Sequence, residues 1–595
     1  MNNKLTIVVL PFVNMSSDED NDYFSDGITE EIISALSKLN EINIISRTSS
    51  FYFKNKIIPL KEIAKKLNAH IAIEGSVRVN GNTVRISSQI INAIEDTHLW
   101  SNRWDRNLDN IFEIQDEISI QIAEKLRENI GHIEIVEHLV KAQTDSIDTY
   151  KLSLEARYYF NRWNPEDVEK SINLYNQALL LDPNHVESHI GLADAYSFLG
   201  TTGFMNAEVA WAKTVEYTNR ALELDSNNPE VYYLLANIAF FMNCDFVTAY
   251  KHANKAIKIK NNYPEGQQFL SFLFTLKGDM KNALKHLSLA LDLDPLNQET
   301  LFYKAFFNYR NGDYQNSITI LDELLNTNSK NIPAFTVKAY SLLCLGETKR
   351  ALQLINELPE EVVIIDDKLG IECLARIIDG EKEKSNKLLS NLEENARSIS
   401  AIQAHSYLFL SYINLNRFDD AFNLLEKSLS NQSPIFLISY SDPLAKNLRN
   451  DSRYYQFEKL IYPDIYSLIE VKKSKPELID EVTSKIIIKK LEEFIEQESP
   501  FLNPDLSLRL LAELIEIHPN QLSWLLNKKL NKNFNEFINH YRISHFKTLA
   551  LDTSNSHISL IGLAFESGFN SKTTFNTYFK KETGITPSEF IKSQT

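Results

Sequence analysis

At 595 residues the chain exceeds what one hydrophobic core can organise, so three or four domains are expected. Its 43% hydrophobic and 24% charged residues exclude a disordered or fibrous chain. A net charge of −17 excludes a generally DNA-attracting surface, yet from residue 504 onward eight Lys and two Arg face two Asp and six Glu, a local +2 against about −19 elsewhere. Cys244, Cys344 and Cys373 lack metal or redox spacing and read as buried free thiols in a reducing compartment. The opening MNNKLTIVVLPF is a short apolar strand rather than a signal peptide. With no run of about 18 apolar residues, a cytoplasmic protein without membrane contact is expected.

In chain order, residues 6–12 read as a buried strand, 23–39 as a helix and 42–46 as a second strand. A short helix at 60–67 precedes a strand at 71–79, and Asn80-Gly81 turns the chain into 84–91. A helix over 111–129 closes a small α/β unit, residues 1–131. Asp18, Glu19, Asp20, Asp26, Glu30 and Glu31 offer carboxylates for a metal or acid–base cluster, although acids at a helix start also simply favour its dipole. Arg47 and the hydroxyls of Ser46-Arg47-Thr48-Ser49-Ser50 can hold a phosphorylated ligand, or form a polar strand-to-helix loop. Trp100 and Trp104 with Arg103 and Arg106 read as a docking surface or as core aromatics under snorkelling arginines.

The middle of the chain is periodic. Ala221, Ala256, Ala290 and Leu324 recur at steps of 35, 34 and 34, led by Ala178. Five residues after each marker a helix stops, at Pro183, Ser226, Asn261, Pro295 and Ser329. Small residues such as Ala193, Ala195, Ala236, Ala283, Ala305, Ala339 and Ala351 fall where paired helices must approach closely. A weaker copy runs through 407–428. This period resembles a tetratricopeptide array, expected over 147–430 as five to seven stacked pairs forming a superhelix with a groove. Tyr232, Tyr233, Asn237 and Tyr303 suit a groove that takes a protein or peptide partner or a second copy of the chain; a plain spacer is the competing reading. Residues 441–455 look like a closing segment, and Lys472-Lys473-Ser474-Lys475-Pro476 breaks the pattern, so 431–480 is read as closing segment and linker.

Residues 481–595 carry two helix-turn-helix patterns, with Ala512 and Ala564 opening turns 52 residues apart. In the first, Leu522, Leu525 and Leu526 pack inward while Asn520, Ser523, Trp524 and Asn527 face out. Asn527 has the geometry for a bidentate adenine contact, and Trp524 can lie against sugars or a thymine methyl. In the second, Phe575, Tyr578 and Phe579 are core, Ser571 is the N-cap, and Lys572, Thr573, Asn576, Thr577 and Lys580 are set toward bases and phosphates. Two such helices joined by a third can enter successive major grooves of double-stranded DNA.

The segment 503–593 resembles the AraC/XylS-type transcription-regulator domain. Matching residues are Leu511-Ala512, Leu522-Ser523, Phe534, Tyr541-Arg542-Ile543, Gly568-Phe569, Ser571, Phe575, Phe579-Lys580-Lys581, Gly584 and Pro587. The resemblance implies reading helices over 519–530 and 571–582 joined by a long helix over 535–551. Trp524 and Thr577 stand where that family usually has arginine, and Asn531 where it usually has glycine. The amino-terminal stretches LPFVNMSSDEDNDYFSDGITEEI, SRTSSFYFK, EGSVRVNGNTVRISSQI and HLWSNRWDR are similar to a TolB-like module found beside cyclase or regulatory domains.

A multidomain, mostly α protein is therefore expected: a small α/β amino-terminal domain, an α-solenoid of tetratricopeptide repeats, and an all-α double helix-turn-helix carboxyl-terminal domain. Its expected role is a sequence-specific transcription regulator governed by an effector or protein partner. The alternative is a tetratricopeptide adaptor scaffold without specific DNA reading. The small local charge points to a homodimer or cooperating copies on DNA. With no P-loop, GxGxxG, HExxH, serine elbow or paired-cysteine motif, neither catalysis, metal nor cofactor is expected.

Overall fold

The computed structural model describes residues 4–16, 22–161, 165–202, 204–329, 331–357, 365–397, 401–430, 435–466 and 477–594. Asp18, Glu19 and Asp20, and the run 472–476, lie outside the described residues. Among the described residues no helix is long and apolar enough to cross a membrane.

The amino-terminal unit is built on a mixed sheet of β1 (Leu5–Val9), β2 (Val13–Asn14), β3 (Ile42–Ile44), β4 (Ile71–Asn80), β5 (Thr83–Asn92) and β6 (Thr97–Asn107). The order is β3-β1-β4-β5-β6, with β2 paired to β4. β3 and β4 flank β1 in parallel, in registers Leu5↔Ile42 and Ile7↔Ile71. β4, β5 and β6 form antiparallel hairpins. Side chains alternate along β1, so Ile7 and Val9 enter one apolar layer and Val8 the other. Helices Asp22–Leu36 and Ile111–Ile130 cover the first layer, and Leu60–Leu67 covers the second.

β6 is an edge strand that sequence reasoning did not place. Most of its side chains are exposed, which hides the alternation that marks a half-buried strand. Trp104 is buried in the core, with Trp100 5.9 Å from it on the same face. Arg106 pairs with Glu117. The pair of tryptophans is thus chiefly core.

The solenoid follows. Among the described residues eight helical pairs run from Ile147–Phe160 with Pro165–Leu181 to Ile402–Asn414 with Phe418–Ser430, more than the five to seven expected. The pair Ile365–Ile378 and Lys382–Asn395 was not anticipated, because its sequence lacks the regular marker spacing. Ala193, Ala236, Ala283, Ala305, Ala339 and Ala351 are all buried where helices meet, and the alanine markers at 221, 256 and 290 have no exposed surface. Tyr232, expected in the groove, is buried instead and packs among repeat helices, with its hydroxyl on the Ser226 carbonyl. The closing segment is locked by Asp442, which accepts from the Tyr309 hydroxyl at 2.5 Å and pairs with buried Arg310 at 3.4 Å.

The sheet unit and the solenoid share a seam. The core of the sheet unit continues through Ile133, Ile135, Leu139 and Val140 and takes in Tyr150 and Leu154 of the first solenoid helix. Asn262 donates to the carbonyls of Ser37, Leu39 and Ile42 at 3.0–3.1 Å. Ser49, proposed above to hold a phosphorylated ligand, donates its hydroxyl to Asp294 at 2.6 Å. Arg47 pairs with Glu30, and Ser50 bonds the Val9 carbonyl. That loop fastens two units together, and its arginine is already engaged. Asp26 pairs with Lys54, and Glu30 and Glu31 face Arg157, so these carboxylates serve ion pairs.

Candidate nucleic-acid interface

Ser507 caps the helix Leu508–Leu514, and the chain then turns into Pro519–Lys528. His518 and Gln521 close that second helix with a reciprocal capping box, and Pro519 sits where a helix has no N–H to bond. The long helix Phe534–Leu551 carries the chain to the second unit, Leu560–Glu566 and Lys572–Thr583. Ser571 accepts from the Thr574 amide as its N-cap. Both turns pass through left-handed backbone at equivalent places, Glu516 (φ 59°) and Gly568 (φ 89°), 52 residues apart. Glycine is required at 568: a Cβ there would meet the Phe501 carbonyl oxygen at 2.2 Å. Asn531 takes φ 57°, which asparagine tolerates better than most residues.

Two small cores hold these helices. Leu511, Ala512, Leu522, Leu526, Phe534 and Phe537 fill the first. Phe546, Phe569, Phe575 and Phe579 fill the second, with centroids 4.7–5.6 Å apart. Arg542 is buried and donates to the carbonyls of Phe501 and Asn503 at 2.8 Å, so it braces the fold.

The two reading helices then differ. On the second, Lys572, Thr573, Asn576, Thr577 and Lys580 are all exposed on one side, opposite Phe575 and Phe579. Ser571 is half-buried at their head. On the first, the polar face is covered by the amino-terminal unit. Asn520 accepts from Arg127 Nη1 at 2.7 Å and from the Ile135 amide at 3.2 Å, and donates to the Ile135 carbonyl at 3.1 Å. Ser523 is buried against His132 at 3.1 Å. Asn527 lies on the backbone of Gly131, so close that a Cβ at 131 would stand 2.7 Å from its Nδ2.

The contact continues beyond this helix. Glu128 accepts from the Leu508 amide, Glu124 pairs with Arg509 at 2.6 Å, and Asn533 donates to the Asn129 carbonyl at 2.9 Å. Arg127 is 2% exposed, and burial pulls its guanidinium down to about 10 despite Glu124 and Glu128 nearby. Nothing in the sequence marks Arg127, Gly131 or His132 as partners of a helix almost 400 residues away.

Trp524 also departs from expectation. It does not face out: it is 8% exposed and packs under Ile479 and Ile487, the latter on the helix Glu481–Glu498. An indole left in water beside the apolar face of that helix would forgo its burial, so it turns inward. Lys529 lies 5.4 Å over its ring and pairs with Glu481.

Residues 511–593 match a family model described as a helix-turn-helix domain. This carboxyl-terminal segment is an AraC-type helix-turn-helix domain. An uncharacterized transcriptional regulatory protein, YesN of Bacillus subtilis (strain 168), is 32% identical over 95 residues, 16% of this chain and 25% of that protein. A putative adenylate cyclase 3 of Rhizobium meliloti (strain 1021) is 33% identical over 243 residues, 39% of this chain and 40% of that protein. The chain thus spans well under two thirds of either relative. A tetratricopeptide repeat protein from Parabacteroides merdae has a TM-score of 0.31 and 12% identity, covering 44% of this chain and 98% of that one.

Proposed function

We propose that the protein is a sequence-specific transcription regulator in which the amino-terminal unit holds the first reading helix shut until an effector or protein partner releases it. The carrying observation is the asymmetry between the two helices. Asn520, Ser523 and Asn527 are spent on Arg127, Ile135, His132 and Gly131, whereas Asn576, Thr577 and Lys580 stand open. One exposed helix supplies non-specific hold and part of a site; full reading needs both.

In this reading Asn520, Ser523, Asn527, Thr573, Asn576 and Thr577 contact bases, Lys572 and Lys580 contact phosphate, and Ser571 orients the second helix. Trp524 is reassigned from DNA to packing. The solenoid is the frame on which a protein or peptide partner acts, since its rim already holds the amino-terminal unit through Asn262 and Asp294. Regulation rather than catalysis is the role, exercised in the cytoplasm, and two copies on one operator offset the small local charge.

Selection of bound fragments from a random duplex pool tests this. The full chain and its Arg127→Ala variant should enrich one common motif, the variant more strongly. If neither enriches any sequence, the regulator reading falls and an adaptor scaffold remains.

A further inference from the structure

The sheet of the amino-terminal unit has two edges, and the chain treats them differently. β3 is three residues long, and Asn262 of the solenoid donates to its Ile42 carbonyl at 3.0 Å. β6 runs for eleven residues, most of them exposed, with neither proline nor lysine among them. A long open edge offers unpaired backbone groups to any strand that reaches it, and soluble proteins usually blunt such an edge. The irregularity in its pairing with β5 lies at Ile90/Ile91, so 100–107 is an unbroken strand.

One bond fixes which way its backbone points. The Leu108 amide donates to the Asn82 carbonyl at 3.0 Å, which sets the even residues of β6 toward β5. The odd residues Ser101, Arg103, Asp105 and Asn107 therefore turn their N–H and C=O groups away from the sheet, and all four are exposed. Arg106 Nη1 donates to the Asp105 carbonyl at 3.0 Å and gives it up on pairing. Asn102 and Arg106 reach instead to Gln121 and Glu117 of the helix Ile111–Ile130, while Asp105 accepts from Arg85 of β5 at 2.5 Å.

The charges on this edge select its occupant. In antiparallel pairing with a copy of itself, outward residues must meet outward residues. A dyad at Arg103 or at Asp105 sets like charges directly opposite, which is destabilising. A dyad at Asn102 or Arg106 opposes neither charge with its complement. A dyad at Trp104 sets Arg103 against the partner's Asp105, twice, and Ser101 against the partner's Asn107. Each row then alternates in charge across the two copies, from Arg85 and Asp105 of one to the partner's Arg103. Four such pairs make about eight backbone hydrogen bonds.

We propose that β6 pairs antiparallel with β6 of a second copy about a dyad at Trp104, joining two sheets edge to edge. The pairing does not rest on the regulator reading; where that reading holds, the same dimer supplies the two copies assigned to one operator. A contact of this size lies at the small end of specific interfaces, so its Kd should be on the order of 10 µM.

Sedimentation velocity of the full chain without DNA, from about 1 to 100 µM, should show monomer passing to dimer. Arg103→Pro deletes an outward N–H, so it should leave circular dichroism unchanged and raise the dimer Kd at least tenfold. Arg103→Cys mixed with Asp105→Cys should oxidise to a crosslinked dimer, since Cα atoms of a bonded pair stand about 5.5 Å apart. Neither variant alone should exceed the unmodified chain, whose three thiols set the background, because like positions then lie diagonally, about 7–8 Å apart. A chain monomeric throughout, or a dimer that Arg103→Pro leaves intact, overturns the pairing. Crosslinking of Arg103→Cys with itself above background overturns the register. A dimer that passes these tests while no operator is selected leaves the pairing standing and sinks the regulator reading alone.

Discussion

Arg127→Ala gives the most direct access to the closed first helix. The substitution removes the 2.7 Å bond from Nη1 to Asn520 and leaves the two bonds with the Ile135 backbone. A hydrogen bond with one charged partner contributes about 1.5–3 kcal/mol. Taking about 2 kcal/mol, and a tenfold change for each ~1.4 kcal/mol, the open population rises about 30-fold. The apparent Kd for an operator scales inversely with that population while the open form is rare, so affinity should rise by the same factor. Fluorescence anisotropy on the selected operator measures it. Because Arg127 lies outside the reading domain, the slope of log K against log salt should not move, as no phosphate contact is gained or lost. Affinity within twofold of the unmodified chain, with the variant folded, refutes the closed-helix argument. A slope that flattens by about one ion refutes it differently, by placing Arg127 on the phosphate backbone. Asn520→Ala breaks the same bond but also deletes a proposed base contact, so its gain should be smaller and its sequence preference relaxed at one position.

On the second helix, Asn576→Ala should cost about 1–3 kcal/mol of operator binding and relax preference at one base pair, whereas Lys580→Ala should weaken all sequences alike; competition with mutated duplexes separates them. Trp524→Ala should destabilise the chain by about 3–5 kcal/mol through loss of its packing on Ile479 and Ile487, seen as faster amide exchange over 481–498. A pH effect follows from the first helices of the solenoid pairs. Burial, then the neighbouring Glu230, Glu265 and Glu187, push Asp194 up to about 8, and burial pushes Glu265 up to about 7. These carboxyls keep protons in the folded chain that the unfolded chain releases near pH 4, so folded stability is greatest below that point and falls as pH rises toward 8. Melting temperature should therefore drop across pH 5–8, and Asp194→Asn should flatten the drop.

What the sequence disclosed and what it hid divide along physical lines. Repeats were legible because a step of about 34 residues brings small or apolar residues back to the same helix crossing; Ala221, Ala256 and Ala290 have no exposed surface there, and Leu324 is buried at the next. The second reading helix was legible because its phenylalanines fall on one side and its polar residues on the other. β6 was not, since an edge strand with one fully buried residue has no alternation to read. Trp524 misled for a related reason. Its position on the helix is correct, but the apolar partner that covers it comes from 479 and 487, outside the helix-turn-helix pattern.

Asn520, Ser523 and Asn527 carry a deeper lesson. Polar residues at positions i, i+3 and i+7 look the same whether they meet water, a base edge or another protein surface, because all three offer donors and acceptors. Here the amino-terminal unit uses the same chemistry a duplex would: a cation and a backbone amide on Asn520, an imidazole on Ser523, a bare backbone at Gly131 under Asn527. On the proposed reading it competes for the groups that would read sequence, so the closed and DNA-bound forms would exclude each other without any further device. Electrostatics will not tip this balance alone. The reading domain carries +2 from residue 504 onward, and two of its ten cations, Arg509 and Arg542, are committed to Glu124 and to backbone carbonyls. With so little long-range attraction and about −19 upstream, DNA is a weak competitor for the first helix. On the proposed reading, opening is then driven by an effector or protein partner that prefers the open form.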